Sequence, residues 1–219
     1  MDSIKVSDFN LAATLECGQF FRYRKVGYGI GKNRHDEYVI NHRDLIFRLR
    51  QEKDMLYFSG ADKGFIINFF RLDENYRHII RAISKDSFIK KAIAANYGMR
   101  IIRQDPWECL ISYICSANNN IPRITSNVRM ISKAFGKRLS SDDNDIDGFS
   151  FPEPGRINNH AALKACKVGF RSRFIHEANQ SVDEMELISL KKKDYGTARA
   201  ELIKLNGVGE KIADCVCLF

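Results

Sequence analysis

Hydrophobic and polar positions alternate in short runs through the first part of the chain. Between residues 19 and 60 the runs QFFRYRKV, EYVIN, DLIFRLRQ and MLYFSG are rich in aromatic and β-branched residues, with Gly, Asn, Asp or Lys between them. In DLIFRLR, Leu45, Phe47 and Leu49 share one face and the arginines share the other, as in a half-buried strand. The pattern predicts an antiparallel sheet.

Residues 65–96 change to a helical period. Apolar side chains recur there three and four positions apart, for example at Tyr76, Ile79, Ile80 and Ile83. Since a sheet with one apolar face needs a cover, we expect these helices to supply it. Tyr97-Gly98 follows as a turn signal. The sequence therefore predicts an N-terminal domain, residues 1–98, made of an antiparallel β-sheet with covering helices.

The remainder, residues 99–219, is predicted to be an all-helical domain, which makes the fold class α+β. Asp105 and Asn120 are each followed within two residues by a proline, and both are helix start signals. Two amphipathic helices therefore flank the run SANNN at 116–120. Residues 138–156 are rich in small polar residues, Gly and Pro, and are predicted to form a loop.

Composition and charge narrow the partners of the protein. The 219 residues are 44% hydrophobic and 28% charged, which excludes wholesale disorder. Lys and Arg outnumber Asp and Glu by 35 to 27, and the net charge of +8 favours a polyanion such as nucleic acid. No run approaches the roughly 20 apolar residues of a membrane span, so a soluble, intracellular protein is expected. The six cysteines form no C-x-x-C pair and are expected to be free thiols.

The sharpest local signal is the run LNGVGEKIAD at 205–214, where one helical stretch ends at two glycines and another begins. This is a helix-hairpin-helix pattern, near 196–219. The turn residues Gly207, Val208 and Gly209 let the backbone approach a phosphate, and the free N–H groups of the second helix offer donors to it. The motif is predicted to anchor DNA without reading its sequence. An ordinary corner between two helices is the alternative.

Lys211 lies in the first turn of the second helix of that pattern. The helix dipole disfavours an ammonium group there, and shielding from solvent would further favour the neutral amine, which is a nucleophile. Attack on the sugar carbon that bears a damaged base would expel the base and leave an imine, which couples base excision to strand cleavage. A phosphate contact or a solvated side chain is the alternative.

Four separate segments, spread over nearly the whole chain, give a specific resemblance. The chain resembles the 8-oxoguanine DNA glycosylase/AP lyase family of the helix-hairpin-helix superfamily in CGQFFR (17–22), QDPWEC continuing to SANNNIPR (104–123), GFRSR (169–173) and GVGEKIADC (207–215). The resemblance implies a similar fold and a role in base-excision repair. The implied reaction is removal of 8-oxoguanine from duplex DNA, preferably opposite cytosine, by base flipping, Schiff-base chemistry at Lys211 and β-elimination.

The resemblance also implies a damaged-base pocket. Lys211 matches the Schiff-base lysine of the family. Gly18 matches a glycine whose carbonyl accepts the N7–H that 8-oxoguanine has and guanine lacks, and a mismatched buried polar pair costs about 1–3 kcal/mol. Phe21 and Cys215 match residues around the flipped base.

Further matched residues are implied to contact the DNA. Those matched by Asn118, Arg123 and Arg171 address the cytosine left behind after flipping, while Asn119 lies nearer the cleaved site. Arg and Asn offer directional donors to a base edge. Phe170 stands where the family has a tyrosine and is expected to insert into the duplex beside the extruded nucleotide. Without the resemblance, Phe170 is interpreted as core and the asparagines as caps and turns.

One departure concerns an essential aspartate that the family places after the helix of the lysine. Phe219 is the last residue, eight positions after Lys211, and Asp214 does not match that aspartate. The sequence is therefore expected to be a C-terminally truncated glycosylase. Two alternatives stay open: a DNA-binding module without catalysis, and a glycosylase for another damaged purine.

The expected partner is double-stranded DNA that contains 8-oxoguanine, bound by a monomer. The lysine chemistry needs no metal, and no cofactor and no membrane partner are expected. The protein is expected to be intracellular and DNA-associated, in the cytoplasm or nucleoid of a bacterium or the nucleus of a eukaryote.

Overall fold

A computed structural model of the chain describes residues 1–28, 35–139 and 148–219. These residues form two compact units. The first unit consists of Met1–Ile40 and Ile46–Arg103, and the second of Asn41–Leu45 and Gln104–Phe219. An antiparallel sheet precedes a long series of helices, which confirms the predicted α+β class. The division after residue 98 stays a prediction.

Five strands and four helices are described before residue 103. The strands are β1 (Asp2–Lys5), β2 (Tyr23–Tyr28), β3 (His35–His42), β4 (Leu45–Glu52) and β5 (Met55–Ser59). The helices are α1 (Leu11–Glu16), α2 (Lys63–Phe69), α3 (Tyr76–Ile83) and α4 (Ser87–Ala95). The strands form one sheet in the order β1-β5-β4-β3-β2.

Four of these strands coincide with predicted runs, but residues 19–22 of the first run precede β2 and are not part of it. β1 is not among the predicted strands. Only Ile4 is buried in it, and the strand depends on antiparallel pairing with β5, where Ile4 lies opposite Leu56. A short strand of this kind has too few alternating positions to be recognised from its own sequence.

A cluster of phenylalanine rings around Phe69 of α2 forms much of the core of the first unit. The ring centroid of Phe69 lies 5.7 Å from that of Phe47 in β4, 5.8 Å from Phe20 and 4.9 Å from Phe70. All four rings are buried. The edge-to-face geometry of these pairs adds to the stabilisation from burial alone.

α3 and α4 contribute less to the cover of the sheet than the helical period of residues 65–96 suggests. Tyr76 is buried, but Ile79 and Ile83 are exposed, and α4 buries none of its nine residues. Phe88 in α4 is 82% exposed. The cover therefore comes mainly from α2, because the Phe69 cluster already occupies the apolar face at β4.

The second unit is mostly helical and contains a pair of two-residue strands. Its elements are α5 (Pro106–Ser116), α6 (Ile121–Phe135), β6 (Arg138–Leu139), β7 (Gly148–Phe149), α7 (His160–Ala165), α8 (Arg171–Ser181), α9 (Glu184–Ser189), a 3₁₀ turn (Leu190–Lys192), α10 (Tyr195–Ile203) and α11 (Glu210–Leu218). The predicted loop over 138–156 contains the paired two-residue strands β6 and β7, and its residues 140–147 lie outside the described part of the chain.

The two predicted helix starts are confirmed. Asp105 Oδ1 accepts a hydrogen bond from Glu108 N at 2.9 Å, and Asn120 Oδ1 accepts one from Arg123 N at 3.1 Å. Every residue of α5 from Trp107 to Cys115 is buried, so this helix is the centre of the second unit. The Asp105 cap thus satisfies a backbone donor at the start of α5, a helix that is otherwise surrounded by protein.

All six cysteines are free, as predicted. Cys109 and Cys115 in α5 are fully buried, and burial raises the pKa of Cys115 to about 12 and that of Cys109 well above its ordinary value. Within the described ranges, no helix has both the length and the apolar character needed to cross a bilayer.

Replacing Phe69 with Ala should lower the free energy of unfolding by about 3–5 kcal/mol, because it leaves a cavity in the ring cluster. Phe88→Ala is the matched control: its side chain is exposed, and we expect a change within about 0.5 kcal/mol. Urea denaturation of both variants checks this, and similar losses in the two would contradict the core described for the first unit.

Candidate nucleic-acid interface

The helix-hairpin-helix motif is formed by α10, a turn over residues 204–209, and α11. Gly207 has a φ of +82°, and a Cβ at this position would lie 2.3 Å from Phe174 Cγ in α8. Val208 is buried, and its N–H donates to Leu205 O at 3.0 Å. Both the backbone conformation and the neighbouring ring therefore require glycine at 207.

Gly209 is the N-cap of α11 and gives the amides of the first turn no side-chain acceptor. A Cβ at Gly209 would have no neighbour within 4 Å. The amino end of α11 therefore faces open space with its donors and its positive dipole end uncapped. An approaching phosphate meets the geometry that favours an anion at a helix start.

Lys211 lies in the first turn of α11, and its side chain is exposed. The shielding that would favour its neutral form is therefore not provided by the part of the second unit described here. Cys215 follows one turn later on the same helix face and is half-buried. Burial raises the pKa of the Cys215 thiol, and the charge of Lys211 acts in the opposite direction. The structure thus brings these two predicted site residues together.

Asp214 joins α11 to α10. Its Oδ1 accepts hydrogen bonds from Tyr195 Oη at 2.7 Å and from Arg199 Nε at 2.6 Å, and these bonds lower the pKa of Asp214, that from Tyr195 most strongly. Arg199 Nη2 also lies 3.3 Å from Glu210 Oε1. The sequence predicts no role for these residues, although Tyr195 and Arg199, four positions apart, could indicate one face of α10.

The three consecutive asparagines have three different environments. Asn118 is exposed, with a φ of +48°, a backbone region that Asn tolerates better than most residues. Asn119 Nδ2 donates to Cys115 O at 2.9 Å and to Asn127 Oδ1 at 3.2 Å, and Asn120 caps α6. Asn119 and Asn120 therefore stabilise the turn, while the Asn118 side chain faces solvent.

Arg171 is buried and bound to backbone carbonyls. Its Nε donates to Ala117 O at 2.8 Å, its Nη2 to the same oxygen and to Asn118 O at 3.0 Å, and its Nη1 to Val168 O at 3.1 Å. Burial lowers the pKa of this guanidinium. The bonds of Arg171 to Ala117 and Asn118 hold the turn between α5 and α6. Its predicted contact with cytosine stays a prediction.

Arg123 and Phe170 are exposed, in contrast to Arg171. The guanidinium of Arg123 has no hydrogen bond or ion pair with any described residue. Phe170 is 57% exposed, so its interpretation as a core residue is wrong. Its ring meets Phe174 edge to face at 6.3 Å, and the Arg171 guanidinium carbon lies 4.6 Å from its centroid.

Gly18 and Phe21 belong to the first unit. Gly18 has a φ of +85°, and Phe21 is buried. Between them, the buried Gln19 amide donates to Thr14 O at 2.7 Å and accepts from Ile102 N at 2.9 Å. Gln19 therefore anchors the Gly18 turn, a role that sequence reasoning misses. The base pocket predicted from Gly18, Phe21 and Cys215 stays a prediction.

Within residues 1–28, 35–139 and 148–219, no group of three or more His, Cys, Asp or Glu side chains is placed to hold a metal ion.

Comparison with known protein sequences identifies DNA glycosylases as relatives of this chain. The family model described as the N-terminal domain of 8-oxoguanine DNA glycosylase matches residues 3–110. The N-glycosylase/DNA lyase of Saccharomyces cerevisiae is 32% identical over 248 aligned positions, which cover 99% of this chain and 64% of the yeast protein. The chain thus spans less than two thirds of the length of this curated relative.

Solved structures of similar proteins share the fold. MBOgg1, in a structure with a low affinity DNA ligand, is 30% identical, with a TM-score of 0.88 over 99% of this chain and 75% of that chain. The 8-oxoguanine glycosylase/lyase of Clostridium acetobutylicum, in complex with dsDNA containing cytosine opposite to 8-oxoG, is 26% identical, with a TM-score of 0.86 over 100% of this chain and 78% of that chain.

Gly207→Ala should lower the free energy of unfolding by about 1–3 kcal/mol, because residue 207 has a left-handed backbone conformation and the added Cβ must displace the Phe174 ring. Gly209→Ala is the matched control, with a φ of −87° and open space around the new methyl group, and should change it by less than about 0.5 kcal/mol. Thermal denaturation compares the two. Equal destabilisation would contradict the hairpin geometry.

Proposed function

Because the chain belongs to the 8-oxoguanine DNA glycosylase family, we propose that it removes 8-oxoguanine from duplex DNA, preferably opposite cytosine, and then cleaves the strand at the abasic sugar. The observation that carries the proposal is the position of Lys211. Its exposed amine lies in the first turn of α11. The amides of that turn are uncapped, and the hairpin that precedes them contains two glycines. Amine and phosphate site are thus within one helical turn of each other.

The hairpin binds the DNA backbone in this proposal. The amides at the start of α11 donate to a phosphate oxygen, and Gly209 leaves room for the phosphate to approach. This contact carries no sequence information, so it serves to hold the duplex while the damaged nucleotide is extruded.

Lys211 performs the chemistry. After it loses a proton, Nζ attacks C1′ of the extruded nucleotide, the C1′–N9 bond breaks, and the base leaves with the bonding electrons and takes up a proton. Opening of the sugar ring gives an imine between Nζ and C1′. Removal of a C2′ proton then expels the 3′ phosphate oxygen, and hydrolysis of the imine frees Lys211.

Selection of cytosine is assigned to the exposed Arg123 in the first turn of α6 and to Asn118 in the turn that precedes this helix. Arg123 has donors available for a base edge, whereas most of the Arg171 donors bind the backbone of residues 117, 118 and 168. Guanidinium and amide groups are suited to such a reading because their donors are directional.

The protein is proposed to act wherever the cell keeps its DNA. The net charge of +8 supports attraction to the duplex, independent of sequence and sensitive to salt.

Lys211→Gln should abolish the covalent adduct that borohydride traps on duplex DNA with 8-oxoguanine opposite cytosine, while binding to the same duplex is retained. The reason is that the amide of Gln cannot form the imine. Lys90→Gln, at an exposed position of α4, is the matched control and should trap like the parent protein. Persistent trapping by Lys211→Gln would contradict the proposal.

The same experiment distinguishes the alternatives. Salt-sensitive binding with neither lesion preference nor trapping supports a DNA-binding module without catalysis, for which the hairpin suffices. Trapping on a duplex with an alkylated purine but not on 8-oxoguanine supports a glycosylase for another base. Any longer product of the same gene is tested in parallel with the 219-residue chain.

Arg123→Gln should reduce the preference for cytosine over adenine opposite the lesion by about tenfold or more, since a bidentate contact contributes ~1–3 kcal/mol of discrimination. Arg129→Gln, an exposed arginine on the same helix, should leave the preference unchanged. The ratio of kcat/KM values for the two duplexes is measured. An unchanged ratio in Arg123→Gln would exclude this residue as the reader of cytosine.

A further inference from the structure

Three groups that are expected to contact DNA, from the resemblance or from the proposed function, are attached to one helix, α8. These are the hairpin at 204–209, the exposed ring of Phe170, and the turn at 117–120. We propose that α8 fixes the positions of these three groups relative to one another, with Arg171, its first residue, and Phe174, one turn later, as positioning residues. The DNA part of this inference rests on the proposed function, but the mechanical part does not.

α8 supports the hairpin through the side chains of Phe174 and Glu177. Gly207 lies directly against the Phe174 ring, since an added Cβ would be within 2.7 Å of three of its side-chain atoms. Asn206 Nδ2 donates to Glu177 Oε2 at 2.6 Å. Phe174 and Glu177 are three positions apart and share one face of α8. Two consecutive hairpin residues are thus held by adjacent turns of one helix.

The first residue of α8, Arg171, holds the turn between α5 and α6. Arg171 donates to the carbonyls of both Ala117 and Asn118, and it is only 5% exposed. A buried guanidinium that lost these acceptors would be left unsatisfied, which is costly. The backbone at 117 and 118 is therefore unable to move far without the start of α8.

Phe170 is the N-cap residue of α8. Its ring centroid lies 6.3 Å from that of Phe174 and 4.6 Å from the guanidinium carbon of Arg171. A continuous series of contacts therefore leads from Gly207 through Phe174, Phe170 and Arg171 to Asn118.

The inner face of α8 is fixed in the unit. Ile175 and Ala178 are buried, and the Asn179 side chain accepts from Ile157 N at 3.0 Å and donates to Ile157 O at 3.2 Å. The helix is therefore anchored along its length, and its outer residues keep fixed positions. A phosphate bound at the hairpin would find Phe170 and Asn118 already placed along the duplex, which lowers the ordering cost of lesion recognition.

The first test is amide hydrogen exchange in the DNA-free protein. Phe174→Ala should raise amide exchange rates at least about tenfold both at 206–212 and at 117–120. The reason is that loosening α8 increases local opening in each segment that it holds. Arg171→Lys should raise exchange in the same two segments, because an ammonium cannot reach the two carbonyls as the guanidinium fork does. Phe88→Ala, exposed on α4 of the first unit, should change neither segment.

Changes confined to the hairpin in Phe174→Ala, and to residues 117–120 in Arg171→Lys, would overturn the inference. If Phe174→Ala does not fold, Phe174→Leu replaces it. Fluorescence of Trp107, the single tryptophan of the chain, reports whether the second unit is folded in each variant.

The second test uses DNA. Phe174→Leu should lower both the affinity for undamaged duplex and the cytosine-to-adenine ratio of kcat/KM, although Phe174 is assigned no contact with the opposite base. A lower affinity with an unchanged ratio would show that α8 supports the hairpin alone and would overturn the inference. The variants could show the expected exchange at both segments while the parent protein never gives a trapped adduct on 8-oxoguanine. That result would uphold the role of α8 and overturn the proposed function.

Discussion

No side-chain atom fits between the backbone of residue 207 and the Phe174 ring, and the candidate interface depends on this close contact. The missing Cβ lets the hairpin lie against α8, and the positive φ of Gly207 turns the chain so that Gly209 can begin α11. The direction of α11 then determines where its uncapped amides and Lys211 point. Asp214 completes the arrangement from the other side by joining α11 to α10. One glycine thus allows two helices and a reactive amine to be placed together.

Features encoded within a few residues could be predicted from the sequence. The caps at Asp105 and Asn120, the alternation around Phe47 and the two-glycine hairpin each depend on neighbours within one or two turns, where local chemistry determines conformation. β1 could not be recognised in this way, because its pairing partner lies some fifty residues further along the chain. The half-exposed faces of α3 and α4 escaped prediction for a related reason. Helical period shows which side is apolar, but the space left over the sheet decides whether that side is buried.

Arg123 and Arg171 show why residue type alone does not assign a role at the candidate site. Both are arginines of matched motifs, and burial is the main cause that lowers the pKa of Arg171. The structure separates them: Arg171 is committed to backbone carbonyls more than fifty residues away in sequence, whereas Arg123 faces solvent. A motif indicates that a guanidinium is present at that position. Only tertiary contacts show how many of its donors remain available.

The raised pKa values of the cysteine thiols in the second unit affect how fast these side chains are oxidised. Peroxide reacts with thiolates far faster than with thiols, so a cysteine with a raised pKa and no access to solvent is a poor target. Burial does both for Cys109 and Cys115, and it raises the pKa of Cys215 beside Lys211. Oxidants that damage DNA would therefore react slowly with the inner sulfurs of this unit, and its core could stay chemically unchanged while bases around it are oxidised.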